Sequence, residues 1–174
     1  VTEFEGLDPA AIMTYYRQTG DFVERVAYLP QPTIAAVSGY CLGGWFELAL
    51  ACDFRIADET AVFGLPEVAL GIVPSFGGTY RLTRIVGPAR AKELILLRDR
   101  VDGAEALRLG VLTEVVEPGQ ALNRALEHAE HLGSIVAANE KEAIKAAIDI
   151  FRIEPARRNR ITVTKNSDED DDQV

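Results

Sequence analysis

A pair of glycines followed by a glutamate is the first feature of this sequence that could carry chemistry. Gly43 and Gly44 lie between a predicted strand and a predicted helix, and Glu47 falls in the first turn of that helix. Glycines let the backbone approach a ligand closely, and the first amides of a helix lack internal acceptors. The Gly44 N–H is therefore a candidate donor to a developing oxyanion. The alternative is structural, with two turn glycines beside a carboxylate that the helix dipole favours.

A second carboxylate, Glu67, lies in the apolar segment GLPEVALG and could equally be a turn residue or the buried partner of an arginine. Together with Glu47 and the helix-start amide, it completes the set of groups that adds water across a polarised double bond. The amide stabilises enolate charge, one carboxylate takes a proton from water, and the other delivers a proton to carbon. Apolar surroundings would separate the protonation of these two acids from that of exposed carboxylates.

Several motifs follow one another in an order that resembles the crotonase, or enoyl-CoA hydratase/isomerase, superfamily. They are an IAAV strand, Gly-Gly ahead of the glutamate in ELALACD, the FGLPE segment and VPSFGGTYRL, and the clear similarity covers residues 30–116. The resemblance implies that Glu47 is the first catalytic glutamate, which positions and activates water, and that Glu67 exchanges a proton with C2 of the acyl group. It also implies that the Gly44 N–H is one half of an oxyanion hole around a thioester carbonyl.

The reaction that this resemblance implies is the reversible syn hydration of a 2-enoyl-CoA to a 3-hydroxyacyl-CoA by an enoyl-CoA hydratase-type lyase. The CoA thioester is the substrate, and no metal or redox cofactor is required. The presence of both glutamates favours a hydratase over an enoyl-CoA isomerase. Another CoA-thioester reaction of the same superfamily, or an inactive acyl-CoA-binding subunit, stays open as an alternative. The resemblance also implies a homo-oligomer, either a trimer or a hexamer.

The sequence departs from the family pattern beside the glycine pair and at both ends. Trp45 and Phe46 stand where family members usually carry glycine and a small residue, so they either reshape the acyl pocket or, for Trp45, pack at a helix interface. The resemblance implies that the family segment with the second oxyanion N–H would precede Val1, and that the family's C-terminal helix would be cut short after the acidic run. Truncation and genuine loss both fit, and so the activity of the 174 residues alone is a separate question.

The elements that must position these residues predict an α/β fold, and the resemblance implies a crotonase-like spiral core of short parallel strands and helices. This incomplete core spans residues 1–118, and a C-terminal helical region with an acidic tail spans 119–174. Apolar periodicity, proline and glycine predict the element boundaries. Helices are expected at 8–29, 45–52, 79–87, 89–97, 121–132 and 134–153, a short one after an Asp102 N-cap, and strands at 33–39, 54–57, 61–64 and 111–116. The first strand should be parallel and covered on both faces.

Composition and charge limit the classes of function. The net charge is −9, residues 168–172 are all acidic, and a nucleic-acid partner is therefore disfavoured. No uncharged apolar run is long enough for a membrane span. The two cysteines, Cys41 and Cys52, each lie in an apolar run and show no disulfide or zinc-ligand spacing. We therefore predict buried, reduced thiols and a cytoplasmic protein.

Two further clusters of side chains carry little weight as sites. His128 and His131 are three residues apart but lack a third ligand, so a solvated helix face is favoured over a metal site. Arg157, Arg158 and Arg160 could meet CoA phosphates or a neighbouring subunit, but ordinary surface charge is the simpler interpretation.

Overall fold

The computed structural model describes residues 8–133 of the chain. The chain divides into two units, Val1–Glu130 and His131–Val174, and the description of the fold concerns the first of them. The helix predicted at 134–153, the arginines at 157, 158 and 160, and the acidic run lie outside the described residues. The domain boundary expected after residue 118 stays a prediction.

Helices and short strands alternate along the described residues, as the sequence predicts. The helices are α1 (Pro9–Ala27), α2 (Gly44–Ala51), α3 (Gly78–Leu96), α4 (Gly103–Arg108) and α5 (Ala121–Gly133), with a 3₁₀ helix at Glu67–Leu70. The strands are β1 (Ile34–Val37), β2 (Tyr40–Leu42), β3 (Phe54–Asp58), β4 (Val62–Gly64), β5 (Val101–Asp102) and β6 (Glu114–Val116).

The strands form two three-stranded sheets, and the chain passes back and forth between them. One sheet has the order β1-β3-β6, with every pair parallel. The other has the order β2-β4-β5, in which β2 and β4 are parallel and β5 is antiparallel to β4. The predicted α/β core of short parallel strands is confirmed, with β5 as its one antiparallel member in the described residues.

Proline and glycine end the helices where the sequence predicts. Asp8 Oδ1 accepts the N–H of Ala11 at 2.8 Å and caps α1, which ends at Ala27, before Pro30. Gly87 has a φ of 78° inside α3 and divides it into two helical stretches, so that the predicted break at this glycine is confirmed. The glycine with positive φ and extended ψ interrupts the helical conformation, and the proline that follows it is suited to the first turn of the next stretch.

The core draws buried apolar side chains from both sheets and from α2, α3 and α4. Phe46 of α2 packs on Phe63 of β4 with 5.3 Å between ring centroids, and both rings are buried. Cys41 is buried, as the sequence predicts, but Cys52 is half-buried because it follows the last residue of α2, so the expectation of a buried thiol is wrong there. Both thiols are free. In the part of the chain that the structure describes, every helix is too short or too polar to cross a membrane.

Three short elements and one exposed residue differ from the expectations. The sequence patterns do not predict β2, β5 or the 3₁₀ helix, because two to four residues are too few to show a period. Ala36 of β1 is exposed, so the expectation that this strand is covered on both faces is wrong there. The side chain of Ala36 points to one face of the sheet, and no described element covers that face there; β1 also lies at the edge of its sheet and pairs only with β3 among the described strands.

Candidate active site

The ends of β2 and β4 bring the two predicted acids to one place. These strands are parallel neighbours, and the N–H of Gly43 donates to the carbonyl of Gly64 at 2.9 Å, which continues their pairing. Glu47 follows the end of β2, and Glu67 follows the end of β4. Parallel strands end at the same edge of a sheet, where α/β proteins commonly bind ligands. The sheet therefore places both carboxylates at one edge although twenty residues separate them.

Glu47 is a buried carboxylate held at the start of a second helix. Its side chain is 1% exposed, and its Oε1 accepts the N–H groups of Phe76 and Gly78, each at 2.8 Å. Gly78 is the first residue of α3, so the positive end of that helix faces the carboxylate. Burial raises the pKa of Glu47, and the two N–H donors with the charge of Arg81 hold the rise back.

Glu67 is half-buried and less constrained by hydrogen bonds than Glu47. Its Oε2 is buried and accepts no hydrogen bond from the described residues. Burial raises the pKa of Glu67, and the negative charge of Glu47 raises it further. The carboxyl group lies over the turn before α2, since a Cβ on Gly43 would stand 3.1 Å from Oε1. An acid in this setting keeps a proton more readily than an exposed glutamate does.

Gly44 is the first residue of α2, and its N–H makes no hydrogen bond to any described residue. Gly43 precedes it as the N-cap, with φ 59° and ψ −131°, a conformation that favours glycine. The Gly44 amide therefore stays available to an external acceptor. This arrangement matches the predicted oxyanion donor in position, and the role itself stays a prediction.

All three predicted site residues line one cavity of about 570 Å³. Its walls come from α1, α2, the 3₁₀ helix and the segment before α3, and most of the lining side chains are apolar. Tyr15, Tyr16 and Phe22 of α1 form one wall, and Leu70 and Ile72 contribute to another. A largely apolar cleft with a few convergent polar groups is the usual form of a small-molecule site.

The two aromatic residues after the glycine pair have different environments. Trp45 is 74% exposed and lines the cavity, whereas Phe46 is buried in the core against Phe63. Among the described residues, Trp45 does not pack at a helix interface, and so of the two interpretations the structure favours a place at the pocket mouth. Phe46 belongs to the core and lies outside the lining of the cavity.

The sequence patterns did not single out the donors that hold Glu47. Phe76 and Gly78 bind it through backbone N–H groups that lie 29 and 31 residues further along the chain. A Cβ on Gly78 would stand 2.9 Å from Glu47 Cγ, so that only glycine leaves room for this approach. The signal was present as a second Gly-Gly pair, Gly77 and Gly78, directly before a predicted helix. Like Gly44, such residues offer free helix-start amides.

The two histidines predicted to share a solvated face have different surroundings, since His128 is half-buried and only His131 is exposed. His128 Nε2 lies 3.1 Å from Glu114 Oε2, beside the ion pair of Glu114 with Arg124, and His131 is exposed. Within residues 8–133, there is no group of three potential ligands that could hold a metal ion.

Several known proteins with similar sequences are described as enoyl-CoA hydratases. The family model for enoyl-CoA hydratase/isomerase matches residues 4–172. A probable enoyl-CoA hydratase of Rhizobium meliloti is 47% identical over 140 residues, which cover 79% of this chain and 54% of that protein. A short-chain-enoyl-CoA hydratase of Clostridium acetobutylicum is 50% identical over 121 residues, covering 70% of this chain and 45% of that protein.

A solved structure with a similar fold supports the same family. The crystal structure of an enoyl-CoA hydratase from Bacillus anthracis matches with a TM-score of 0.75 and 36% identity, covering 92% of this chain and 62% of that one. The chain spans about half the length of the curated relatives that it matches. The matches confirm the resemblance seen in the sequence motifs, and the chain belongs to the enoyl-CoA hydratase/isomerase family.

Proposed function

We propose that this chain carries the acid–base site of an enoyl-CoA hydratase, which adds water to a 2-enoyl-CoA to give a 3-hydroxyacyl-CoA. The observation that supports it is the meeting of Glu47, Glu67 and the Gly44 N–H on one cavity. Relatives described as enoyl-CoA hydratases, at about half identity, support the same substrate class. The substrate is a CoA thioester, whose carbonyl oxygen accepts the hydrogen bond from Gly44.

In the proposed reaction each carboxylate has its own task. Glu47, with Oε1 held by two N–H groups, takes a proton from water through its other oxygen as the water oxygen bonds to C3. Glu67 delivers a proton to C2, and burial favours the protonated form that this step needs. The Gly44 N–H stabilises the enolate oxygen that forms between these steps.

Hydration adds a proton and a hydroxide and moves no electrons to or from the substrate. We therefore propose that the site needs no redox cofactor, and that the Gly44 N–H stabilises the enolate oxygen without a metal. The proton that Glu47 gains and the proton that Glu67 gives up balance over one turnover, because solvent exchanges them afterwards. The reverse reaction uses the same two groups with exchanged roles.

The experiment that tests this proposal compares three carboxylates in the full chain with crotonyl-CoA as substrate. Glu47→Gln and Glu67→Gln each remove one acid–base group and should lower kcat by at least about 10²-fold. Glu59→Gln changes an exposed acid after β3 and should leave kcat unchanged. Undiminished turnover in both of the first two variants would contradict the assigned roles.

An isomerase is the second candidate, because the family description includes it and one carboxylate suffices for its chemistry. Glu67 has the raised pKa and the unbonded oxygen that could move a proton between two carbons of the acyl chain. The Glu47→Gln variant separates the candidates, since an isomerase would keep its turnover of a 3-enoyl-CoA. An inactive acyl-CoA-binding subunit would instead bind crotonyl-CoA without any turnover.

We also propose that the chain works as a cytoplasmic homo-oligomer, a trimer or a hexamer. Leu122 and Leu126 lie four residues apart on α5 and are 62% and 54% exposed, which supports contact with a second copy. Free thiols at Cys41 and Cys52 suit a reducing compartment. Light scattering that finds a stable monomer would contradict the oligomer.

A further inference from the structure

A buried arginine lies directly behind the donors that hold Glu47. Arg81, in the first turn of α3, is 8% exposed. Its Nη1 donates to the carbonyl of Phe76 at 2.8 Å, and its Nη2 donates to Glu24 Oε1 on α1 at 2.7 Å. The same Phe76 gives its N–H to Glu47. A continuous set of hydrogen bonds therefore runs from α1 through Arg81 and Phe76 to the buried carboxylate.

The glycine between Phe76 and α3 is shaped around this guanidinium. Gly77 has a φ of 101°, and a Cβ there would stand 2.0 Å from Arg81 Nη1 and 2.9 Å from Cζ. Any other residue would displace the arginine from the Phe76 carbonyl. With that carbonyl held on one side, the N–H of Phe76 and the N–H of Gly78 both point to the other side, at Glu47 Oε1.

The second bond of Arg81 anchors the arrangement to another element. Glu24 Oε1 also accepts the hydroxyl of Tyr80 at 2.7 Å, and the guanidinium lies 4.7 Å from the centre of the Tyr80 ring. Arginine presents its donors in a rigid fork, so it can bind a carbonyl and a carboxylate at the same time in a fixed relation. The place of Phe76 is thereby set by α1 as well as by α3.

We propose that Arg81 is a positioning residue for the hydration reaction. By holding the Phe76 carbonyl, it keeps two N–H donors on one oxygen of Glu47, while the proposed reaction uses the other oxygen for water. This inference rests on the proposed function, because it gives Arg81 its effect through Glu47. Arg81 does not line the cavity that contains the three predicted site residues.

Arg81 also acts on Glu47 through its charge. The guanidinium favours the carboxylate form of Glu47 and opposes the rise in pKa that burial causes. Among residues 8–133, the titratable groups that line the cavity with Glu47 are Glu67 on the 3₁₀ helix and Tyr15 and Tyr16 on α1. Arg81 on α3 lies behind Glu47, and the ion-pair partner of Arg81 is Glu24 on α1. Loss of the positive charge should raise the pKa of Glu47, since the other acids nearby do not stabilise its negative charge.

The test uses three variants of the full chain with crotonyl-CoA. Arg81→Met removes the charge and the fork, and a misplaced Glu47 should lower kcat by about 10²-fold with little change in KM. The acidic limb of the kcat/KM profile should also move to higher pH. Arg81→Lys keeps the charge but cannot reproduce the fork, so kcat should fall while the acidic limb stays in place. Arg84→Met, on the exposed side of the same helix, should match the wild type.

A double-mutant cycle separates positioning from a purely structural ion pair. In a Glu47→Gln background, Arg81→Met should lower kcat no further, because the group through which it acts is absent. An equal loss in both backgrounds, with an unmoved acidic limb, would overturn the proposal. If Arg81→Met does not fold, Arg81→Lys serves in the cycle with the same expected outcome.

One measurement keeps this inference distinct from the proposed function. The pKa of Glu47 can be followed by carbon NMR of labelled glutamate, with its signal assigned from Glu47→Gln. A higher pKa in Arg81→Met than in the wild type supports the link between the two residues even without turnover. An unchanged pKa overturns it, whereas full turnover of Glu47→Gln overturns the proposed function first.

Discussion

The two carboxylates of the cavity meet different local chemistry. Glu47 has one oxygen fixed by two backbone N–H groups, and Glu67 has a buried oxygen that accepts no bond from the described residues. Burial raises the pKa of both carboxyl groups. At Glu47 the rise is opposed by hydrogen bonds from other residues, whereas at Glu67 the only opposing hydrogen bond comes from its own backbone. Two acids in unlike environments can serve as base and acid at one pH. The hydration proposed above needs that difference.

Gly43 offers a test of how closely Glu67 must be placed. A Gly43→Ala variant would put a Cβ 3.1 Å from Glu67 Oε1, so the carboxyl group must shift by a few tenths of an ångström. We expect kcat with crotonyl-CoA to fall by at least about 10-fold, because acid catalysis depends on geometry. Both kcat and the melting temperature are measured.

Gly39→Ala is the matched control for this prediction. Gly39 also has a positive φ, of 69°, but a Cβ there would meet nothing within 4 Å. Both variants carry backbone strain of about 1 to 3 kcal/mol, so both should lower the melting temperature. Only Gly43→Ala should reduce kcat, and equal activity of the two variants would show that Glu67 tolerates the displacement.

Among the elements, those with a clear period or cap could be predicted from the sequence. The helices α1, α2 and α5 and the strands β1, β3 and β4 lie within a few residues of the predicted ranges. All of them except β3 combine a patterned run with a glycine or proline boundary, and polar residues border β3. The pairing of strands could not be predicted. β3 and β4 are consecutive yet lie in different sheets, because their partners are set by contacts distant in sequence.

The candidate site could also be predicted only in part. Glu47, Glu67 and Gly44 could be proposed because their residue types and the motif order indicate chemistry. The bonds from Phe76 and Gly78 to Glu47, and from Arg81 to Phe76, could not, because they join segments whose approach depends on the complete fold. A backbone N–H has no sequence signature beyond the glycines that let it come close.

The N-cap of α4 provides a prediction at the scale of one element. Asp102 Oδ1 accepts the N–H of Glu105 at 2.8 Å, as the sequence predicted. Asp102→Ala should lower the free energy of unfolding by about 1 kcal/mol, which urea denaturation measures. Since α4 does not line the cavity, kcat should stay at the wild-type value. The control is Asp99→Ala, because the exposed Asp99 caps no described helix, and it should change neither the free energy of unfolding nor kcat. An equal loss of stability in both variants would argue against the cap.

At the scale of the whole molecule, one buried carboxylate joins three segments of the chain. Asp58, at the end of β3, is 1% exposed and accepts hydrogen bonds from Ser38 before β2, Thr60 before β4 and Gly119 before α5. Burial alone would raise the pKa of Asp58, but these donors outweigh it and hold the pKa at about 2. The connection thus ties both sheets to the last described helix through one ionised group.

This connection predicts how stability depends on pH. The pKa of Asp58 is about 2 when folded against an ordinary value of 3.8, so the unfolded chain binds the proton more readily between these values. The stabilisation from the ionised group is complete above pH 3.8 and is lost as the pH falls toward 2, and it amounts to about 2 kcal/mol.

Asp58→Asn cannot ionise and lacks this contribution at every pH. Other carboxylates titrate in the same range, but they are common to both proteins, and so the difference in unfolding free energy between wild type and variant isolates Asp58. Urea denaturation at a series of pH values should show that difference shrinking by about 2 kcal/mol on acidification. A constant difference would mean that Asp58 stabilises the fold by the shape of its hydrogen bonds and not by its charge.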